Sequence, residues 1–105
     1  MNNYYKSCIV GLGKVGSSYP KSKFVRTHAE AYIKNKQIKI VAGVDPNINA
    51  RNNFLEKWRL DVPIFSSVKE MLTKIKPDIA SICVPTSKLI NVLDDFTKRP
   101  PKIYF

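Results

Sequence analysis

A glycine-rich turn follows directly on a short apolar run near the start of the chain. The apolar run is Ser7-Cys8-Ile9-Val10, and the turn reads Gly11-Leu12-Gly13-Lys14-Val15-Gly16. A G-x-G-x-x-G turn between a buried strand and a helix is a signature of dinucleotide binding. Gly11 permits the tight turn, Gly13 lets the backbone approach a pyrophosphate, and Gly16 lets the helix pack closely on the strand. The motif predicts a β–α unit with a phosphate site at the start of its helix.

An acidic residue ends the second apolar run, which extends from Ile38 to Val44. Asp45 at the tip of such a strand can accept hydrogen bonds from both hydroxyls of a ribose. Its distance from Gly16 exceeds the usual spacing of about 20 residues in this type of motif. The extra length lies in a polar, basic stretch from Ser17 to Arg26, which we interpret as a loop inserted in the first crossover.

The glycine turn and the acid do not fix the ligand by themselves. Methyltransferases that bind S-adenosylmethionine share the glycine spacing and the acid after the second strand. The residues considered so far therefore leave two ligand classes open, a dinucleotide and S-adenosylmethionine.

Short apolar runs alternate with amphipathic stretches along the whole chain. We predict strands at residues 7–10, 38–44, 63–65, 78–84 and 102–105, and helices at about residues 28–34, 47–59, 68–76 and 89–96. This alternation predicts an α/β fold, a doubly wound parallel sheet in the order 3-2-1-4-5 with helices on both faces. We expect the ligand crevice between the first and fourth strands. Because the fifth strand has no residues after Phe105, the domain is expected to be truncated there.

Composition limits the chain to a single small domain without a membrane span. The chain has 105 residues, of which 44% are hydrophobic, and no stretch resembles a leader or a membrane helix, so we expect a cytoplasmic protein. The net charge of +10 is spread over all predicted helices and loops, which favours a lysine-rich solvated surface over a nucleic-acid site. Cys8 and Cys83 are expected to be buried in strands, His28 to be solvated or to cap a helix, and no metal site is predicted.

The succession of motifs resembles one enzyme family. The motifs, in chain order, are 9–16, 27–32, 41–47 and 76–86, with the sequences IVGLGKVG, THAEAY, VAGVDPN and KPDIASICVPT. They resemble the amino-terminal Rossmann domain of the Gfo/Idh/MocA oxidoreductases, the glucose-fructose oxidoreductase and inositol dehydrogenase family. The likeness covers nearly the whole chain.

This resemblance implies NAD or NADP as cofactor, contacted by the glycine turn, by Asp45-Pro46 and by Val84-Pro85-Thr86. It also implies a separate carboxy-terminal domain for the substrate and a catalytic lysine located beyond Phe105. The chain by itself is therefore expected to contain no catalytic residue and to lack dehydrogenase activity. Two departures from the family are the basic insert at residues 17–26 and Leu89, where many members have a histidine.

The resemblance implies hydride transfer between a nicotinamide and a sugar, cyclitol or related hydroxyl compound, and a homo-oligomer is compatible with it. We expect NAD rather than NADP because the charge of Asp45 repels a 2′-phosphate and Pro46-Asn47 supplies no adjacent arginine. NADP stays open because Lys21, Lys23 or Arg26 could reach that phosphate from the insert. The alternative from a different class is a non-catalytic module that senses a dinucleotide.

Overall fold

The computed structural model describes residues 4–12, 28–97 and 100–104 of the chain. Strands and helices alternate along it, as the apolar runs predict. The elements are β1 (Tyr5–Val10), α1 (His28–Lys34), β2 (Ile38–Val44), α2 (Ile48–Trp58), β3 (Ile64–Phe65), α3 (Val68–Leu72), β4 (Ile79–Ile82), α4 (Thr86–Asp95) and β5 (Ile103–Tyr104). The sequence Thr27-His28-Ala29-Glu30 has the form that predicts a capping box, but Thr27 and the insert at residues 17–26 lie outside the described residues.

The five strands form one parallel sheet in the order β3-β2-β1-β4-β5, which confirms the predicted order. From β1 the chain first builds outward through β2 and β3, and it then returns to place β4 on the other side of β1. The strand order therefore reverses between β1 and β4. In an open parallel sheet, ligands bind at the carboxyl ends of the strands at such a reversal.

Buried residues of the strands pack into two separate clusters, one on each face of the sheet. On one face Ile9 packs with Tyr32 of α1 and with Phe54 and Trp58 of α2. The other face is larger and includes buried residues from the strands, from α3 and from the end of α4, namely Cys8, Val10, Ala42, Val44, Phe65, Val68, Met71, Leu72, Ala80 and Phe96. The fold is thus doubly wound, as predicted.

Local capping signals place the starts of two helices. The side chain of Asn47 accepts hydrogen bonds from the backbone N–H groups of Asn49 and Ala50 at 2.8 and 3.1 Å, and α2 begins directly after it. The Ser67 hydroxyl accepts a hydrogen bond from the N–H of Glu70 at 3.1 Å at the start of α3. At its carboxyl end α2 closes on Arg59, whose φ of 51° is left-handed.

Several element boundaries differ from the predicted ones. Helix α3 ends at Leu72 instead of continuing to Pro77, and the Thr73 hydroxyl donates to the carbonyl of Glu70 at 2.7 Å where the helix ends. Val68, Met71, Leu72 and Ile75 have the spacing of one apolar helix face, and Ile75 still packs against the core from the turn that follows the helix. The spacing thus indicated burial and not helix length. Helix α4 begins at Thr86, earlier than predicted, because Pro85 precedes it in the extended conformation that suits a helix start.

Strand β4 is shorter than predicted at both ends. Asp78 lies before the strand, and its carboxylate accepts a hydrogen bond from the N–H of Lys6 at 2.9 Å. Cys83 lies after the strand and is half-buried, whereas Cys8 is fully buried in β1, so the prediction that both cysteines lie in buried strands is wrong for Cys83. The apolar run in the sequence does not show which of its residues pair with a neighbouring strand and which lie beyond the end of the sheet.

Within the described residues, no helix is long and apolar enough to cross a membrane.

Candidate functional site

The carboxyl ends of β1, β2 and β4 meet at one edge of the sheet. The N–H of Gly11 donates to the carbonyl of Val44 at 2.7 Å, and the N–H of Cys83 donates to the carbonyl of Val10 at 2.7 Å. These two hydrogen bonds continue the pairing of β1 with β2 and with β4 beyond the last residue of β1, as far as Gly11, where the glycine turn starts. The first residues of the turn are therefore held rigidly between the ends of the two neighbouring strands.

Gly11 occupies a backbone position that other residues adopt only with strain. Its φ is +92°, in the left-handed region that favours glycine. A Cβ on Gly11 would lie 2.5 Å from the carbonyl oxygen and 2.8 Å from the carbonyl carbon of Cys83. Gly11 is thus required by both its conformation and its contact with the end of β4. The contact with Cys83 depends on the tertiary structure and cannot be inferred from the glycine motif.

The Asp45 carboxylate joins the turn after β1 to the turn after β2. One of its oxygens accepts a hydrogen bond from the N–H of Leu12 at 2.8 Å, and the other accepts one from the N–H of Asn47 at 2.8 Å. The N–H of Asp45 itself donates to the carbonyl of Phe65 at 3.0 Å, at the end of β3. A carboxylate has about four acceptor positions, so acceptor capacity remains for a ligand.

A pocket of about 240 Å³ opens at this edge, on the face covered by α3 and α4. Its apolar wall consists mainly of valines and its polar wall of side chains from the start of α3 and from α4. The lining residues are Val10, Gly11, Val44, Pro46, Ser66, Ser67, Val68, Val84, Lys88, Asn91, Val92 and Asp95. An apolar wall with a few polar groups at its rim is typical of a small-molecule site.

Residues 5–103 match the family model of the Gfo/Idh/MocA proteins, an oxidoreductase family with an NAD-binding Rossmann fold. The chain belongs to this family. The resemblance inferred from the sequence motifs is therefore confirmed, and so is the Rossmann fold. A search of the curated proteins found no match to the chain.

Solved structures similar to this Gfo/Idh/MocA chain include three inositol dehydrogenases. Myo-inositol 2-dehydrogenase from Lactobacillus plantarum has a TM-score of 0.75 at 18% identity, over 95% of this chain and 27% of that one. Scyllo-inositol dehydrogenase from Lactobacillus casei, with bound NAD(H) and scyllo-inositol, has a TM-score of 0.75 at 17% identity, with 95% and 27% covered. A myo-inositol dehydrogenase from Corynebacterium glutamicum ATCC 13032 has a TM-score of 0.74 at 19% identity, with 95% and 27% covered.

At these identities the similarity shows the fold. The chain spans about a quarter of the length of the structures that it matches, 24% to 28% in the first four.

The structure brings several of the predicted site residues together at the carboxyl edge. Gly11, Pro46 and Val84 line the pocket, and Leu12 is held to Asp45 beside it. Pro85 and Thr86 form the exposed start of α4 and do not line the pocket. The other predicted residues of the glycine turn, Gly13, Lys14, Val15 and Gly16, lie outside the described residues.

The pocket also contains residues that the sequence analysis did not single out. Lys88, Asn91 and Asp95 of α4 line it together with Ser66 and Ser67. The spacing of the three α4 residues puts them on one face of the helix, and this polar stripe could have indicated a second surface. Ser66 and Ser67 follow β3 directly, so their position after a strand was the signal that could have identified them.

No cluster of metal-binding side chains occurs in the described parts of the chain.

The two cysteines differ in how deeply they are buried. Burial raises the pKa of the Cys8 thiol to about 12, and partial burial also raises the pKa of Cys83. Both thiols are thus held in the protonated form at neutral pH, which favours packing roles over nucleophilic chemistry.

Proposed function

We propose that this chain binds NAD at the carboxyl edge of β1, β2 and β4, as the dinucleotide-binding part of an oxidoreductase. The single observation that carries the proposal is the Asp45 carboxylate, which is fixed 2.8 Å from the N–H of Leu12 where the glycine turn starts. This contact places an acceptor for ribose hydroxyls next to the turn that the motif assigns to the pyrophosphate.

Three parts of the edge would each receive one part of the cofactor. The free acceptor positions of Asp45 would bind the ribose diol of the adenosine, and the backbone of the glycine turn at Gly13 would bind the pyrophosphate. The pocket beside Val44 and Val84 would take the adenine ring against its apolar wall. We favour NAD over NADP because the negative charge of Asp45 disfavours a 2′-phosphate.

The proposed reaction is hydride transfer between the nicotinamide and a sugar, cyclitol or related hydroxyl compound. The bound cofactor supplies the hydride chemistry, and the residues described above bind and orient its adenosine half. The substrate class is supported by the structural neighbours, three of which are named as inositol dehydrogenases.

Replacement of Asp45 by asparagine is expected to weaken NAD binding by about tenfold or more, because a charged acceptor of ribose hydrogen bonds is lost. Asparagine has one carbonyl oxygen and can therefore keep one of the two backbone hydrogen bonds that Asp45 accepts. Thermal unfolding of the unliganded variant checks that it still folds. The affinity is measured by calorimetric titration of the chain with NAD. Asp61→Asn removes the same charge at an exposed position after α2 and should leave the affinity unchanged.

A parallel titration with S-adenosylmethionine separates the two ligand classes that share this motif. The proposal predicts saturable binding of NAD and much weaker binding of S-adenosylmethionine. Tighter binding of S-adenosylmethionine than of NAD would favour a methyltransferase and contradict the proposal.

A further inference from the structure

Arg51 stands at the amino-terminal end of the α2 face that packs on the sheet. It precedes Phe54 by three residues and Trp58 by seven, and both of these aromatic side chains are buried. Residues at these spacings share one face of a helix. A Cβ built on Gly43 would lie 3.3 Å from both Phe54 Cε2 and Leu12 Cδ1, so this face of α2 contacts the first residues of the glycine turn.

The Nε atom of Arg51 is buried and has no hydrogen-bond partner within the described part of the chain. Buried polar groups in folded proteins are nearly always hydrogen-bonded, so an unsatisfied donor of this kind indicates a missing partner. Asp45, the acid that precedes the helix, accepts hydrogen bonds from the backbone N–H groups of Leu12 and Asn47 and not from Arg51 Nε. Arg51 does not line the pocket, but it lies in the first turn of α2, shortly after Asp45 in the sequence, and carries a permanent positive charge with an unused buried donor.

The guanidinium group of arginine matches the geometry and charge of a phosphoryl group. We propose that Arg51 binds a phosphoryl group of the dinucleotide. The inference rests on the proposed function and adds to it a residue that neither the glycine motif nor the residues next to Asp45 reveal. Two phosphoryl groups have this chemistry, the pyrophosphate of either cofactor and the 2′-phosphate of NADP.

The test compares Arg51→Gln with Arg59→Gln in titrations with NAD and with NADP. Both substitutions remove one positive charge from the same helical segment, but Arg59 is exposed at the carboxyl end of α2. We expect Arg51→Gln to weaken binding by about tenfold or more and Arg59→Gln to leave it unchanged. Weakening for both cofactors assigns Arg51 to the pyrophosphate, and weakening for NADP alone assigns it to the 2′-phosphate.

Thermal unfolding without ligand separates a binding role from a structural one. Because Arg51→Gln removes a cation with an unsatisfied buried donor, the melting temperature of the unliganded chain should stay equal or rise. Arg51→Lys keeps the cation and should lose less affinity than Arg51→Gln.

If Arg51→Gln binds both cofactors with the affinity of the wild type, the inference about Arg51 is overturned and the proposed function is not affected. A wild-type chain that binds neither NAD nor NADP would instead contradict the proposed function, and the inference about Arg51 with it.

Discussion

Replacement of Gly11 by alanine is expected to lower the free energy of unfolding by about 3 kcal/mol or more, since two independent costs add. The left-handed φ of +92° is unfavourable for alanine, and the new Cβ would lie 2.5 Å from the carbonyl oxygen of Cys83. That oxygen belongs to the backbone at the end of β4, so the contact cannot be relieved by rotation of a side chain. Such a loss is a large part of the stability of a small domain, about 5–15 kcal/mol.

Chemical denaturation followed by circular dichroism measures this effect, and Gly43→Ala is the matched control. A Cβ at Gly43, in the regular strand β2, would approach the ends of Ile64, Leu12 and Phe54 at 3.1 to 3.3 Å. These side-chain atoms need to move by only a few tenths of an ångström, so we expect a cost of only about 1 kcal/mol. Equal losses in the two variants would show that the turn tolerates a side chain at Gly11.

Replacement of Gly13 by valine is expected to lower the affinity for NAD about a hundredfold, because a branched side chain would block the approach of the pyrophosphate to the backbone. Loss of two hydrogen bonds to a charged group accounts for an effect of this size. Calorimetric titration measures the affinity. Gln37→Val introduces the same side chain at an exposed position before β2, away from the carboxyl edge of the sheet, and should bind NAD like the wild type. Undiminished binding by Gly13→Val would contradict the assignment of the turn to the pyrophosphate.

The parts of the fold that depend on local patterns could be predicted from the sequence. Strand β2 has the predicted bounds of Ile38 to Val44, because an apolar run is followed there by a charged residue and a helix cap. The sequence places Asn47, a residue type that favours helix caps, at the start of the predicted helix, and it caps α2 because a cap needs only the next two or three N–H groups. The strand order followed from the regular alternation of strands and helices, which allows few topologies.

The features that depend on distant parts of the chain could not be predicted. One example is the close approach of Gly11 to Cys83 after the end of β4, two residues that are far apart in the sequence. Asp45 was expected to bind a ribose, but its contacts with the N–H groups of Leu12 and Asn47 require knowledge of which turns meet. Arg51 was overlooked because its role follows from which face of α2 is buried. The preference for NAD was argued from the charge of Asp45 and from the two residues after it, and Arg51 was not considered there.

A nuclear magnetic resonance titration of the isotope-labelled chain with NAD tests the location of the cofactor site most directly. The account predicts saturable shifts of the backbone amide signals of Gly11, Leu12, Asp45 and Asn91, which surround the carboxyl ends of β1, β2 and β4. The amide signal of Lys39, near the amino end of β2, should not move. Saturable shifts confined to the amino ends of the strands, or no saturable shift at all, would contradict it.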